Sequence, residues 1–231
     1  MERPYIICHM VVSIDAKVTG DFLTLPECEK ATDIYYEINR NYDAEGFICG
    51  RVTMEGSFTN GWFPKIESFK PVEDREDFIC DDLKGFYAVS FDPKGRLGWK
   101  ENCIVDDDPG YGGAQIIEVL TNGVDGRYLA YLKEMNIPYI FAGENEIDVS
   151  VVLKKLKEKF SIKRLLLEGG SIINGYFERE NAIDELSLVV APVVAKEDDK
   201  PLFTQSKINT FKLKEIKKFE DSVLWLNYRR N

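Results

Sequence analysis

Short apolar runs alternate with amphipathic segments of helical length through the second half of this chain, and no other feature restricts its fold as strongly. The apolar runs, which are typical of buried strands, lie at 116–120, 137–142, 165–167 and 186–191. The helical segments lie at 128–135 and 149–160 and directly after Ser171, and Asp148 is placed to cap the helix at 149–160. Strands that alternate with helices predict an α/β fold with a mostly parallel sheet.

Both ends of the chain extend this pattern. Further strands are predicted at 5–12, 46–50 and 87–91, and a helix is predicted at 26–39. After a turn at 92–95, residues 97–99 predict the return arm of a hairpin, and 211–216 with 222–228 predict a C-terminal antiparallel hairpin. Because no segment has the length and polarity of a flexible linker, we expect a single domain over residues 1–231.

Charge and cysteine content narrow the class of protein. The formal net charge is −10, and no stripe of Lys and Arg is present to hold a nucleic acid backbone, so we expect no nucleic acid partner. The five cysteines are widely spaced without a CxxC pair, which argues against a disulfide framework or a zinc site. The acidic loop at 106–113 lacks the calcium-loop pattern, so we expect no metal.

The N-terminal apolar run at 5–12 has no basic leader and is too short to span a membrane. We therefore expect a cytoplasmic protein without a membrane partner. His9 lies inside this run, and we expect it to be buried and structural.

A glycine turn leads into the helix after residue 170. Gly169 and Gly170 follow an apolar run, and Ser171 and Ile172 open the helical pattern. Glycines let a ligand approach the backbone closely, Ser171 can cap the helix, and the free N–H groups of a helix start suit a phosphate. The alternative interpretation is a tight turn without a ligand.

A polar turn containing Asp15 and Lys17 follows the first strand. In open α/β sheets, ligands bind at the carboxyl ends of the strands, so both residues are candidates for a functional site. An ordinary turn with an exposed ion pair remains the alternative.

A second phosphate-binding pattern follows the strand at 46–50. Gly50 ends that strand, Arg51 offers a planar guanidinium, and Thr53 adds a hydroxyl. The alternative is a surface arginine beside a helix cap at Thr53. Gly143 ends the strand at 137–142 and is a weaker candidate.

Three blocks in this order resemble the RibD C-terminal reductase family of the dihydrofolate reductase-like superfamily. They read VVSIDAKV at 11–18, ICGRVTME at 48–55, and LLLEGGSIINGYF followed by DELSLVVAPVVA. The segment at 139–148 is also similar to that family's penultimate strand and loop. The resemblance covers essentially the whole chain and implies a three-layer fold with helices on both faces of the sheet.

The resemblance also implies an NADPH site and a homodimer. Gly169, Gly170, Ser171 and Ile172 would face the cofactor pyrophosphate. The adenosine-side phosphates, including the 2′-phosphate, would be held by Gly50, Arg51 and Thr53, with Gly143 near the same side. Asp15 and Lys17 would face the nicotinamide and the substrate, orienting the substrate and helping to supply a proton.

Two departures from the family pattern concern the substrate. Ala16 stands where the family usually has Gly, and Ser57 stands where the riboflavin enzymes have an Asp. The sequence therefore predicts an NADPH-dependent reductase of a pyrimidine, pteridine or similar heterocycle, like the reductase of riboflavin biosynthesis. The alternative from another class is an NADP(H)-binding regulatory protein without catalysis.

Overall fold

In a computed structural model of the chain, residues 2–231 are described and form two compact units. The first unit is Glu45–Lys163 with residues 2–4, and the second combines Tyr5–Ala44 with Arg164–Asn231. The single domain expected over residues 1–231 stays a prediction.

Strands and helices alternate through both units. The strands among residues 2–231 are β1 Tyr5–Val12, β2 Gly46–Gly50, β3 Tyr87–Phe91, β4 Gln115–Leu120, β5 Tyr139–Phe141, β6 Arg164–Leu167, β7 Glu185–Val190, β8 Phe211–Lys218 and β9 Leu224–Arg230. The helices over the same residues are α1 Pro26–Asn41, α2 Arg51–Met54, α3 Gly126–Glu134, α4 Val149–Phe160 and α5 Ser171–Arg179.

The first unit contains parallel strands in the order β5, β4, β3, β2. Every residue of β3, β4 and β5 is buried, as expected for parallel strands covered on both faces. The side chain of Asp148 accepts hydrogen bonds from the N–H groups of Ser150 and Val151, which confirms the predicted cap of α4.

The predicted hairpin arm at 97–99 is wrong, because these residues form no strand. Asp92 turns the chain here, since its Oδ2 accepts a hydrogen bond from the Leu97 N–H at 2.8 Å. The Trp99 N–H then donates to the Tyr131 hydroxyl at 2.7 Å. Side chains thus satisfy backbone groups that a β-ladder would otherwise pair.

The second unit contains strands in the order β6, β1, β7, β9, β8. The first three are parallel, whereas β9 pairs antiparallel with both β7 and β8. The predicted α/β class, the mostly parallel pairing and the C-terminal hairpin are therefore confirmed. One apolar cluster packs α1 against the sheet and includes Cys28, Ala31, Ile34, Val189 and Trp225.

The helices formed by residues 2–231 are too short or too polar for any of them to cross a bilayer.

Candidate functional site

The turn after β1 fixes the carboxylate of Asp15 in place. Its Oδ1 accepts hydrogen bonds from the Ser13 hydroxyl at 2.7 Å and from the Ala195 N–H at 3.0 Å. Hydrogen bonds from Ala195 and then from Ser13 lower the pKa of this exposed carboxyl. Asp15 is therefore an ionised acceptor at neutral pH, and this favours an orienting role over proton donation.

Lys17 lies in the same turn, and the backbone holds its ammonium group. The Nζ atom donates to the carbonyl oxygens of Glu197 and Asp199, each at 2.8 Å. An ammonium has three N–H bonds, so these two contacts leave one for another acceptor. Ala16 between the two candidate residues has φ of 60°, which explains physically why a glycine suits this position.

The glycine turn before α5 has two different halves. Gly169 is buried with φ of 104°, and a Cβ there would lie 3.2 Å from Met10 Cε. Gly170 is half-buried, is the N-cap of α5, and receives no side-chain cap hydrogen bond. The positive φ of Gly169 explains the glycine at this position, while Gly170 leaves the helix start open.

The predicted cap at Ser171 is wrong. Ser171 is the first residue of α5, and its buried hydroxyl hydrogen-bonds the Thr204 hydroxyl at 2.5 Å instead. Ile172 follows with 59% of its surface exposed. Because the N-cap Gly170 has no side chain to bond the first turn, the N–H groups of α5 keep the chemistry that a phosphate requires.

Gly50, Arg51 and Thr53 lie in the first unit, where β2 leads directly into α2. The N-cap is Gly50, so the alternative of a cap at Thr53 does not hold. The Arg51 guanidinium is paired with Glu55 at 2.6 Å, and 29% of its side chain is exposed. A planar guanidinium has five N–H donors, so this pairing leaves donors for a phosphate.

The structure does not place Gly143 beside Arg51. Gly143 follows β5, whereas Arg51 follows β2, and β4 and β3 lie between those strands. Three strand spacings amount to roughly 14 Å. The site roles of these residues and of the others predicted from the sequence stay predictions.

Two polar features of the structure were missed in the sequence. One is the loop at 193–204, which hydrogen-bonds the turn containing Asp15 and the start of α5. The other is a buried carboxyl pair, Asp92 and Glu118. Burial raises the pKa of Asp92, and burial followed by the charge of Asp92 raises the pKa of Glu118 well above its usual value. Over residues 2–231, no group of three or more His, Cys, Asp or Glu side chains could hold a metal ion.

The chain is similar in sequence to one known domain family and to named reductases. Residues 112–225 match the sequence model of the RibD C-terminal domain. The chain is 27% identical over 234 residues to the 2,5-diamino-6-ribosylamino-4(3H)-pyrimidinone 5′-phosphate reductase of Kluyveromyces lactis, covering 96% of this chain and 86% of the relative. A reductase of this kind is consistent with a nicotinamide cofactor.

Solved structures show the same fold. A pyrimidine reductase-like protein from Corynebacterium diphtheriae aligns with a TM-score of 0.70 and 14% identity, over 99% of this chain and 92% of that chain. RibD from Acinetobacter baumannii aligns with a TM-score of 0.66 and 16% identity over all of this chain, which spans 59% of that protein's length. These alignments confirm the predicted reductase-like α/β fold. The match over residues 112–225 and the named reductase relatives show that this chain is similar to the RibD C-terminal domain family.

Proposed function

We propose that this chain is an NADPH-dependent reductase that transfers a hydride to a pyrimidine, pteridine or similar heterocycle. In this it would be like 5-amino-6-(5-phosphoribosylamino)uracil reductase of riboflavin biosynthesis. The observation that carries the proposal is the open start of α5 after the Glu-Gly-Gly sequence of the family. The name of the Kluyveromyces lactis relative, a pyrimidinone phosphate reductase, supports the substrate class.

In each of the two units, the candidate residues have the chemistry to hold a phosphate group. The backbone N–H groups at Ser171 and Ile172 suit a pyrophosphate because they lie at the positive end of a helix dipole. Arg51 and Thr53 suit the 2′-phosphate, which distinguishes NADPH from NADH. Since the chain carries a net charge of −10, a local cation such as Arg51 is needed to attract a phosphate.

Bound NADPH would supply the hydride, so the chain must orient the substrate and deliver a proton. The ionised carboxylate of Asp15 can accept a hydrogen bond from an N–H or O–H group of a heterocycle. The remaining N–H bond of Lys17 can deliver a proton directly or through water. The two side chains thus divide orientation and proton supply between them.

The residues present limit the choice of heterocyclic substrate less than they limit the choice of cofactor. Ser57 is exposed within the π-helical segment Glu55–Thr59, which directly follows α2. A neutral hydroxyl at the position of the family's Asp changes the charge offered there. We therefore propose the class of substrate and not one compound.

We also propose a cytoplasmic homodimer without nucleic acid or membrane partners. Support for self-association comes from the sheet face opposite α1. Leu188, Leu226 and Ile216 pair across β7, β9 and β8 on this face, and Ile216 is 57% exposed. Apolar side chains exposed in a row on neighbouring strands are typical of a protein interface.

Fluorescence titration of the protein with NADPH, and in parallel with NADH, tests the cofactor assignment. Loss of a charged hydrogen bond costs about 1.5–3 kcal/mol, so we expect Arg51→Ala to weaken NADPH binding by roughly 10- to 150-fold with little effect on NADH. Arg127→Ala is the matched control, because Arg127 forms an exposed ion pair with Asp125 on α3.

The outcomes separate the candidate functions. If the wild-type protein binds neither nucleotide, the reductase proposal is wrong and only the fold is shared. NADPH binding without oxidation by any pyrimidine or pteridine tested would instead favour the regulatory alternative.

A further inference from the structure

The loop between β7 and β8 contacts both candidate elements of the second unit. Residues 193–204 of this loop, which we name the strap, begin beside the turn after β1. The Ile14 N–H donates to the Val193 carbonyl at 2.8 Å, and the Ala195 N–H donates to Asp15 Oδ1 at 3.0 Å. The first part of the strap therefore fixes the carboxylate proposed to orient the substrate.

The middle of the strap continues along the same turn. Its carbonyl groups at Glu197 and Asp199 accept the two hydrogen bonds from Lys17 Nζ. The Leu202 N–H then donates to the Ala16 carbonyl at 2.9 Å. Because nearly all of these contacts use strap backbone atoms, the turn is held only while the strap backbone keeps its position.

The far end of the strap reaches the start of α5. The Thr204 N–H donates to the Ser171 carbonyl at 3.1 Å, and the two hydroxyl groups hydrogen-bond each other. The Asn174 side-chain amide donates to the Leu202 carbonyl at 3.3 Å. The backbone of Thr204 also occupies the position where a Cβ of Gly175 would lie. The strap is thus packed directly on α5.

The contact between Thr204 and Ser171 determines what the helix start can bind. A serine hydroxyl near a helix N-terminus commonly bonds a nearby backbone N–H. Here Thr204 engages that hydroxyl, so it does not compete for the N–H groups of the first turn. The hydroxyl of Thr204 therefore helps to leave the helix start available to an anion.

From these contacts we infer that the strap is a positioning element. It holds two segments in a fixed relation, namely the turn that contains Asp15 and Lys17 and the start of α5. Thr204 is the positioning residue at the end of the strap that contacts α5. The positioning role of the strap adds detail to the proposed function. It rests on that function only because the start of α5 is taken to bind a phosphate. Thr204 acts through Ser171 and is not itself placed against substrate or cofactor.

Hydrogen exchange measured by mass spectrometry tests the strap without any nucleotide. In Thr204→Val, which keeps the shape but removes the hydroxyl, we expect faster exchange at 169–174 and also at 13–18, because both segments are bonded to the strap. Thr204→Ser restores the hydroxyl and should exchange like the wild-type protein. Thr32→Val is the matched control, since it removes a threonine hydroxyl that bonds the Cys28 carbonyl within α1.

Nucleotide affinity supplies the second measurement. Loss of one neutral hydrogen bond costs about 0.5–1.5 kcal/mol, so Thr204→Val should weaken NADPH binding by roughly 2- to 12-fold, with recovery in Thr204→Ser. The inference is overturned if exchange at 13–18 in Thr204→Val equals that of Thr32→Val. A wild-type protein that binds no nucleotide would refute the proposed function, while the exchange result would still decide the role of the strap.

Discussion

The imidazole ring of His9 lies parallel to the phenol ring of Tyr35, with 4.3 Å between the ring centroids and 2° between the planes. His9 Nε2 faces the Tyr35 carbonyl at 3.0 Å, and Nδ1 faces the Ser187 hydroxyl at 2.9 Å. Nδ1 also lies 3.3 Å from the Ser187 carbonyl, but its shorter contact is with the hydroxyl, which can donate to it. Because a carbonyl only accepts hydrogen bonds, the 3.0 Å contact with Tyr35 favours the tautomer with the proton on Nε2. His9 is fully buried as a neutral ring, which fits the structural role expected from the sequence.

Acid should destabilise the protein through His9. Burial lowers the pKa of His9 to about 4, whereas an unfolded histidine has its pKa near 6.5. Above that value both states are neutral; as the pH falls from 6.5 towards 4, the unfolded state binds a proton that the folded state does not. The free energy of unfolding should therefore decrease by about 3 kcal/mol across this range.

Urea unfolding of the wild-type protein and of His9→Asn at several pH values measures this contribution. His9 is the sole histidine of the chain, so the variant removes all histidine titration. Although His9→Asn will be less stable overall, its stability should depend less on pH between 4 and 6.5. Parallel curves for the two proteins would show that His9 does not titrate as proposed.

The buried carboxyl of Glu118 should have the opposite dependence on pH. Its Oε1 accepts a hydrogen bond from Trp99 Nε1 at 2.5 Å, and burial raises its pKa well above the usual value. As the pH rises through about 4.5, the unfolded state loses a proton that the folded state keeps, so stability falls. We expect Glu118→Gln to retain the acceptor and to be more stable than the wild-type protein near neutral pH, by roughly 1–3 kcal/mol.

Denaturant unfolding near pH 6 and pH 8 tests the role of Glu118. Glu134→Gln is the control, because Glu134 is an exposed carboxylate at the end of α3. The stability gained in Glu118→Gln should increase with pH, whereas Glu134→Gln should match the wild-type protein. A stability difference between Glu118→Gln and the wild-type protein that is the same at both pH values would mean that the carboxyl is already ionised in the fold.

Local patterns were sufficient to predict most of the fold. The bounds of β1 and β2 and the cap of α4 at Asp148 agree with the sequence because apolar periodicity and helix caps depend on neighbouring residues. The arm expected at 97–99 failed because its backbone is bonded by Tyr131, which lies 32 residues further along the chain. Such a contact leaves no periodic pattern.

The sequence predicted the candidate site only where the site residues lie close together in one short segment. Asp15 and Lys17 share a turn, and their neighbourhood follows from the end of β1. The strap was not predictable, because it holds these residues largely through carbonyl and N–H groups that every residue type possesses. Likewise, serine is a common helix cap, so the sequence favoured that role for Ser171. Only the structure shows that the Ser171 hydroxyl instead bonds Thr204, which lies 33 residues further along the chain.

Removal of the Asp15 charge should reduce turnover without loss of the cofactor. Asp15→Asn keeps an oxygen that can accept from the Ala195 N–H, but it lacks the ionised carboxylate. A misplaced substrate can lower a rate about 10²-fold, and a positioned acid contributes about 10²–10⁴-fold, so we expect kcat to fall by roughly 10²-fold or more in Asp15→Asn and in Lys17→Ala. NADPH affinity should stay close to that of the wild-type protein.

Steady-state kinetics with a reducible heterocycle, combined with NADPH titration, provide the measurement. Asp21→Asn is the matched control, because Asp21 is an exposed carboxyl whose hydrogen bond to Lys196 also lowers its pKa. Full turnover in both site variants, with NADPH still bound, would remove Asp15 and Lys17 from the mechanism.

Self-association through the open sheet face should fail when a charge is placed on it. Ile216 is 57% exposed on β8 and pairs with Leu226 of β9, so Ile216→Lys would bring an ammonium group into an apolar interface. We expect the dimer dissociation constant to rise about tenfold or more, because a buried unpaired charge opposes association.

Light scattering during size-exclusion chromatography measures the mass of each species, and circular dichroism checks the fold. Val105→Lys, at a residue that is 79% exposed in the other unit, should leave the mass unchanged. A dimer that persists in Ile216→Lys at the wild-type affinity would exclude this face.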